Sequence, residues 1–357
     1  MPRIPTTPSR FLIAVLGVVF GVCACQDPGT SAKASELFAP RGRHLMNIGV
    51  REDERADATL GLITVARLSE NGRHVVILDF VAPYVKVFDG TGRFERAFLH
   101  SGSGPGEARF PLALAVSGDT TIFVADASGR LMVFGMDGVL RREATDTRMQ
   151  VLAATSGCSG DWVLYGPKFG SSAAKPTWLH RLRVGAGGGV ASTDVLQDSV
   201  AYDILPHGVA YGLVSDARGA LIWHTLGPER LLASWVCGGA SPVAARDDRG
   251  PGEKTMAHRE AGGVRMEIRA GSRFRGGIAS VPGGVVIAEH VTGREPGSAT
   301  TALTLRRQDG TRRTISVPGS YTLRDSRPGV GVLISTTDPV PQVFLVSERD
   351  LLAAFEP

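Results

Sequence analysis

Five basic residues of this chain could form an anion site if the fold brought them together. They are Arg109, His207, Arg273, Arg275 and Arg324, and each stands near the predicted start of a β-strand. A guanidinium group offers planar paired donors that match a carboxylate or a phosphate. The chain holds 34 arginines, so chance clustering at any chosen surface is the competing interpretation. The residue types predict a site for a small anionic ligand at one mouth of a channel through the centre of the fold.

The stretch GSGPGEARFP, residues 102–111, carries a second possible chemistry. Glycines at this spacing can cradle a phosphate when they follow a strand and open a helix. Here they are followed by PLALAV, SGDT and TIFVADASGRLMVF, which are short β-rich runs separated by turn residues. There is also no Lys-Ser/Thr pair after the glycines. The pattern therefore favours a turn between strands over a phosphate loop.

Metal sites have weak support in the sequence. Asn47 and Asn71 are the only asparagines, and Asn71 stands in an Asn-Gly hairpin turn, so a calcium site built on Asn is poorly supported. Eight histidines form neither HxH nor HExxH. A channel could still collect one ligand per sheet, which leaves one Ca or Zn as the alternative to no cofactor. No serine nucleophile elbow or paired-carboxylate motif is present, so the catalytic residues are unknown.

The N-terminus predicts export. Residues 1–10 are short and basic, and residues 11–22 form an apolar run too short to span a bilayer. Val22-Cys23-Ala24-Cys25 then resembles a bacterial lipobox, which implies a signal peptide over residues 1–24 and lipidation of Cys25. Ordinary signal-peptidase cleavage at the same bond is the alternative. Gln26 follows, a pattern similar to that of outer-membrane lipoproteins.

Residues 25–42 are predicted to be a lipidated flexible tether, because their Pro, Gly, Ser and Ala have little to bury. Residues 43–357 form the folded domain in this interpretation. Cys158 and Cys237 remain after processing, and an oxidising compartment favours a disulfide between them. Two separate buried thiols are the alternative.

Overall charge argues against a nucleic-acid partner. The chain carries 39 basic and 35 acidic residues, and loss of the two arginines in the leader brings the balance to 37 against 35. These charges are spread along the chain. The longest charged stretch, residues 239–273, is predicted to be a loop for a partner or a lid, or else a solvated connection.

An internal repeat provides the elements that would position these residues. The run from His74 and the run from Thr121 share a strand that ends in Asp, a turn, and a strand that ends in Val-Phe. Asp79 and Asp126 correspond, and each carboxylate is expected to accept hydrogen bonds from turn N–H groups. Four weaker hairpins follow, which begin near residues 162, 220, 283 and 331. This rhythm of short strands and the 45 glycines predict an all-β propeller of four-stranded blades.

Residues 100–138 resemble an NHL-type repeat, although Pro111 follows Phe110 directly. The whole chain resembles the six-bladed, TolB-like β-propeller lipoproteins of bacteria. We expect residues 43–50 to supply the missing strand of the last blade and so close the ring.

The resemblance implies a lipid-anchored scaffold at the outer membrane, periplasm or cell surface. It would bind an envelope protein or a small anionic ligand and no nucleic acid. The alternative is a propeller hydrolase or lyase with a divalent metal in the central channel.

Overall fold

The computed structural model describes residues 32–39, 42–49, 55–145, 147–157, 161–168, 177–185, 189–197, 212–216, 219–226, 229–236, 243–247, 256–260, 263–267, 273–292, 298–337 and 339–356. Nearly all regular structure in these residues is β. Within these ranges, twenty-six strands and two short helices follow one another.

Most strands fall into successive antiparallel sheets whose strands follow one another in sequence. The first described elements are α1 (Ala32–Leu37) and β1 (Met46–Ile48). The first sheet holds β2 (Ile63–Leu68), β3 (His74–Asp79), β4 (Val85–Asp89) and β5 (Phe94–Phe98). The second sheet holds β6 (Pro111–Ser117), β7 (Thr121–Asp126), β8 (Leu131–Gly135) and β9 (Leu140–Ala144). The third sheet holds β10 (Ala153–Ser156), β11 (Trp162–Tyr165), β12 (Thr177–Val184) and β13 (Val190–Gln197).

The second half continues the same order and ends in a larger sheet. The fourth sheet holds β14 (Gly212–Asp216), β15 (Gly219–Leu226), β16 (Glu229–Val236) and β17 (Val243–Asp247). A separate hairpin holds β18 (Met256–Glu260) and β19 (Gly263–Glu267). The fifth group holds β20 (Arg273–Val281), β21 (Gly284–Val291), β22 (Thr300–Arg307) and β23 (Arg312–Pro318). The last group holds β24 (Tyr321–Arg327), β25 (Gly331–Thr336) and β26 (Gln342–Val346), and α2 (Glu348–Ala353) ends the chain.

Burial explains why the second strands of the sheets are so apolar in sequence. Five of the six residues of β3 are buried, and so are five of the six in β7. The first and second sheets each pack against a neighbour on both faces, so their middle strands have no solvent side. Between the first and second sheets, Val76, Leu78, Leu114 and Val124 belong to one continuous apolar cluster. Burial of these side chains, each worth about 1.5–3 kcal/mol, holds sheet against sheet.

The first strands of the sheets lie beside one another. β2 neighbours both β6 and β24, β6 neighbours β10, and β14 neighbours both β10 and β20. Successive four-stranded meanders that radiate from adjacent first strands are the architecture of a β-propeller. The propeller predicted from the hairpin rhythm is thus the fold of the described residues.

Two four-stranded groups are fused into one mixed sheet, which the sequence did not predict. Its order is β1-β26-β25-β24-β20-β21-β22-β23, with β20 and β24 paired in parallel through Gly277 and Leu323. Gly277 has φ +91°, and a side chain there would collide with the Leu323 carbonyl. Only glycine permits this approach of two first strands.

The strand predicted over residues 43–50 is present as β1 and pairs with the end of the chain. Met46, Asn47 and Ile48 lie opposite Leu345, Phe344 and Val343 of β26 in antiparallel register. Met46 and Ile48 are buried in the apolar cluster that also contains Ile63 of the first sheet. β1 therefore contributes to the contact between the two ends of the chain.

Part of the segment predicted to be a tether packs against the sheets. Residues 25–42 were expected to be flexible, but Ala34, Leu37 and Phe38 are buried against the last two strand groups. The Tyr321 hydroxyl also donates a hydrogen bond of 2.7 Å to the Phe38 carbonyl. Leu37 and Phe38 supply enough apolar surface to dock the short helix α1, so the folded domain already includes it.

Parts of the charged stretch 239–273 form strands. β17 pairs with β16 in the fourth sheet, and β18 and β19 form a hairpin. In the described ranges, no helix is long and apolar enough to cross a membrane.

Candidate functional site

The two ends of the sheets present different surfaces. Antiparallel order puts the start of each first strand and each turn between second and third strands at one end, which we call the upper face. The opposite end, the lower face, carries the turns between first and second and between third and fourth strands. Leu62, just before β2, and Phe80, just after β3, are thus neighbours on the upper face, joined by a 2.9 Å bond from the Phe80 N–H to the Leu62 carbonyl.

Two repeat-related carboxylates build this face. Asp79 at the end of β3 accepts backbone N–H bonds from Gly61 at 2.7 Å, Leu62 at 3.0 Å and Val81 at 3.1 Å. Asp79 therefore ties the segment just before β2 to the turn just after β3. The role expected for these aspartates is confirmed.

The second sheet repeats this clamp almost atom for atom. Asp126 at the end of β7 accepts N–H bonds from Arg109 and Phe110 at 2.8 Å each and from Ser128 at 2.7 Å. The Ala127 N–H then donates to the Phe110 carbonyl at 2.9 Å, as Phe80 does to Leu62 in the first sheet. Leu62 and Phe110 consequently occupy equivalent, rigidly held positions.

Hydrogen bonds keep both aspartates ionised. Burial by itself raises the pKa of Asp79, but bonds from the Gly61 N–H, the Lys86 ammonium and the Val81 N–H outweigh it and leave the pKa below its usual value. Lys86 is buried with Asp79, and its Nζ lies 2.6 Å from Asp79 Oδ2. The pKa of Asp126 is likewise lowered, where bonds from Ser128, Phe110 and Arg109 outweigh burial.

The glycine-rich stretch 102–111 encloses a carboxylate of its own. Glu107 Oε2 accepts the Gly104 N–H at 2.8 Å, and a side chain at Gly102 would collide with this carboxylate. Arg130 fastens the loop by donating to the carbonyls of Ser103, Gly104 and Glu107 at 2.7–2.9 Å. The turn predicted here is confirmed, and Glu107 occupies the place that a bound phosphate would need.

Large apolar side chains are exposed mainly on the upper face. Seven such residues are more than 45% exposed among the residues that the structure describes, and five of them lie on this face. These five form what we call the upper apolar patch: Leu62, Phe80, Val81, Phe110 and Val340. Leu45 and Val139 are the other two and lie on the lower face. An apolar concentration on one end of a rigid scaffold is typical of a binding surface.

The predicted arginine and histidine site is described only in part. Arg109 lies on the upper face, exposed beside Phe110, and its Nε donates to Ser103 Oγ at 2.9 Å. The backbone of β20 carries Arg273 and Arg275, whose side chains lie outside the described part of the structure. His207, Cys25, Cys158 and Cys237 also lie outside the described residues.

Arg324 lies in the channel, where protein groups already engage it. Its guanidinium donates to the carbonyls of Thr64 at 2.7 Å and Ile63 at 2.8 Å and to Ser335 Oγ at 2.6 Å. Burial, and then the charge of Arg67, lowers the pKa of Arg324 to about 10. Arg324 therefore links the last strand group to the first sheet, a role different from the anion contact expected of it.

A second channel arginine was missed by the sequence reasoning. Arg67 in β2 is 6% exposed. It donates to the carbonyls of Leu114 at 3.3 Å and Ala154 at 3.1 Å, and also to the carbonyl of Arg324. Burial lowers its pKa, an effect that the charge of Asp325 opposes. The one available signal was a charged residue within the otherwise apolar run ITVARL.

The described donor set around Arg67 and Arg324 does not suit a divalent cation. Among the described residues, the ionisable side chains near these two arginines include Asp325, Arg327 and His290, so three arginines and one histidine accompany one carboxylate. The described ranges contain no group of three His, Cys, Asp or Glu side chains that could hold a metal. Hard divalent cations require several oxygen ligands and are repelled by guanidinium groups.

Comparisons with known proteins point to the fold and no further. No family model matches the chain, and no curated protein matches it. A solved structure of a Bacteroides fragilis protein to which export is ascribed shares 11% identity, with a TM-score of 0.50 and 86% of each chain covered. The β-propeller domain of Cps50 from Myceliophteria thermophila shares 11% identity with a TM-score of 0.47, over 80% of this chain and 97% of that one. Ycf48 from Cyanidioschyzon merolae shares 12% identity with a TM-score of 0.44, over 80% and 97%. At these identities, the first likeness shows a shared fold alone.

Proposed function

We propose that this chain is an exported, lipid-anchored six-bladed propeller that binds an envelope protein through its upper face. The observation that carries the proposal is the upper apolar patch, fixed by the clamps of Asp79 and Asp126. The expected occupant is a protein segment with apolar side chains over Leu62 and Phe110 and a carboxylate near Arg109. Such a segment gains apolar burial at little ordering cost to the scaffold, because the clamps hold the surface in advance.

Six blades and a closed ring are part of the proposal. The six hairpins predicted from the sequence correspond to the second and third strands of six strand groups, from β3–β4 to β25–β26. Pairing of β1 with β26 supports the idea that the N-terminal strand completes the last blade. Closure would remove the exposed edge of β26, which otherwise is free to pair with another chain. The NHL-like and TolB-like resemblance remains a proposal on the same grounds.

Export and anchoring rest on the N-terminal sequence. A signal peptide over residues 1–24 and an acylated Cys25 would hold the propeller at a membrane, since several acyl chains bind stably where one does not. A disulfide between Cys158 and Cys237 fits the same compartment. Mass spectrometry of the protein from a bacterial host, with and without Cys25→Ala, tests acylation. The same spectra before and after reduction test the disulfide.

A propeller hydrolase or lyase with a channel metal is the second candidate. The resemblance of the chain to propeller proteins supports this candidate. The positive charges of Arg67 and Arg324 in the channel count against it, because they would repel a metal cation. Elemental analysis of the purified protein for Ca and Zn separates the two candidates. About one metal ion per chain would favour the enzyme, because a specific metal site binds a defined number of ions.

The binding proposal is tested by placing a photo-crosslinking amino acid at single exposed positions in cells. Positions 62 and 110 probe the upper apolar patch, while positions 45 and 139 are matched apolar controls on the lower face. We expect one discrete adduct with the same protein from both upper positions and none from the controls. Binding of that purified protein should then weaken with Phe110→Ser and persist with Val139→Ser. Equal adducts from both faces, or none from the upper face, would contradict the proposal.

A further inference from the structure

A second surface, on the lower face, has the positive charge and the concave shape of a separate ligand-binding site. It is a groove of about 590 Å³ between the second and third sheets. Its lining includes Thr121 and Val133 of the second sheet, Trp162 of the third, and three arginines: Arg141, Arg142 and Arg183. Grooves of about 300–1,000 Å³ are of the size that holds small ligands. This groove lies at the opposite end of the sheets from the upper apolar patch.

A β-bulge brings two of the arginines to the groove. In the pairing of β8 with β9, Val133 lies opposite Arg142 and Phe134 lies opposite Leu140, so Arg141 is an extra residue. Consecutive residues of a regular strand point to opposite faces, and a bulge changes this alternation locally. Both Arg141 and Arg142 consequently line the same groove.

The three arginines differ in how far protein groups already engage them. Arg142 donates to the Val184 carbonyl at 2.7 Å and so ties the second sheet to the third. Arg141 forms an ion pair with Asp137, but both side chains are about half exposed. Arg183 is 61% exposed, and its Nε lies 4.0 Å from Asp161 Oδ2, an oxygen that Arg181 already occupies at closer range. Arg183 therefore has the loosest contact of the three, and the ion pair of Arg141 is open to solvent.

The junction between the first and second sheets has the same construction with the opposite charge. The bulge residue there is Glu95, 46 positions before Arg141, and it pairs with His74 at 3.4 Å. Arg96 repeats the tie of Arg142 by donating to the Met136 carbonyl at 2.9 Å. In the second sheet, Thr121 stands in place of His74 and Arg141 in place of Glu95. A small residue and a cation thus replace a histidine and a carboxylate that contact each other.

We propose that this lower groove binds an oxyanion, the phosphate or carboxylate group of a small ligand or a lipid headgroup. Arg141 and Arg183 contact the oxyanion, and Arg142 is a positioning residue that fixes the spacing of the two sheets. Two guanidinium groups that converge on a groove offer paired, charge-assisted donors that suit such oxygens. The bound anion takes the place that the Glu95 carboxylate occupies in the preceding junction.

Calorimetric titration with inorganic pyrophosphate tests the site. We expect the Kd to rise at least about tenfold in Arg141→Gln/Arg183→Gln, since charge-assisted hydrogen bonds are lost. Arg73→Gln/Arg93→Gln is the matched control, because it removes the same charge from exposed lower-face arginines of the first sheet. It should leave the Kd within about twofold, as distant surface charges are screened by salt.

A second variant keeps the test decisive if the first unfolds. Thr121→His/Arg141→Glu rebuilds the His74–Glu95 pair in the groove and should abolish pyrophosphate binding with an unchanged melting temperature. Sedimentation with phosphatidylglycerol and phosphatidylcholine vesicles distinguishes the source of the oxyanion. Loss of phosphatidylglycerol binding in the same variants would identify a headgroup, and loss of pyrophosphate binding alone a soluble ligand. The proposal is overturned if neither probe binds the native chain better than these variants, or if the control loses as much.

Discussion

Arg67 in the first sheet and Arg324 in the last strand group each donate hydrogen bonds to the backbone of the other's strand. Arg67 donates to the backbone carbonyl of Arg324, and Arg324 donates to the carbonyls of Thr64 and Ile63 in β2. The residues are 257 positions apart in the chain. Each guanidinium satisfies backbone carbonyl oxygens of first strands that belong to other strand groups.

Loss of Arg67 should destabilise the whole domain. In Arg67→Met, the carbonyls of Leu114, Ala154 and Arg324 lose that donor, and each buried group left unpaired costs about 1–3 kcal/mol. Arg67→Lys should be nearly as damaging, because a single ammonium cannot reach three separated carbonyls. Urea denaturation measures the free energy of unfolding, with Arg73→Met as the exposed control. A Met variant as stable as the native chain would show that the channel bonds contribute nothing net.

The two aspartate clamps should differ in strength although their geometry repeats. Asp79→Asn leaves the buried Lys86 ammonium without a counter-ion, with the Thr59 carbonyl as its remaining acceptor, so we expect a loss of about 3–5 kcal/mol. Asp126→Asn breaks only hydrogen bonds to neutral groups, so we expect about 1–3 kcal/mol. Thermal and urea unfolding of the two variants provide the comparison. The double variant Asp79→Asn/Lys86→Met should recover stability, and a failure to recover would contradict the role of the unpaired ammonium.

Acid should weaken the same clamps. The folded pKa values of Asp79 and Asp126 are lowered, so the unfolded chain binds more protons in acid and stability is lost as pH falls below about 4. The unfolding free energy of Asp126→Asn should fall less steeply than that of the native chain in this range. Parallel slopes would show that the carboxylate does not carry the effect.

His290 should add a second pH dependence at milder acidity. Burial, and then the charge of Arg324, lowers its pKa to about 4. The folded state therefore holds His290 neutral, and its contribution, on the order of a few kcal/mol at most, is present above about pH 6.5 and lost between about pH 6.5 and 4. His290→Gln should flatten unfolding free energy across that interval. His100→Gln, at an exposed position, is the control.

Strand β1 should be essential to the domain. Met46 and Ile48 are 3% and 1% exposed and contact the first sheet as well as β26. Met46→Asp/Ile48→Asp should prevent folding or cause aggregation, since two unpaired carboxylates cannot be buried there and the edge of β26 would open. Leu45→Asp, at an exposed position beside them, should have little effect on the melting temperature. A stable double variant would rule out the closing role of β1.

Local sequence determined the strands and turns of this protein. The hairpin rhythm, the turn at residues 102–111, the strand-end roles of Asp79 and Asp126, and the strand before the first sheet all follow from apolar runs bounded by turn residues. These features depend on neighbours within some twenty positions, which a single sequence displays directly. Docking of α1 and fusion of the last two groups were not foreseen, because each depends on packing against distant segments.

Only the tertiary structure decided which side chains meet. Residue types pointed to Arg324 as an anion ligand, whereas the fold brings the carbonyls of Ile63 and Thr64 to its guanidinium. Arg67 lies within hydrogen-bond reach of three other strand groups, and Arg141 and Arg183 line one groove, because the packing of sheet against sheet brings distant segments together. Neither the charge nor the spacing of residues along a chain shows which distant side chains will contact one another. Such contacts form only when folding brings the first strands side by side.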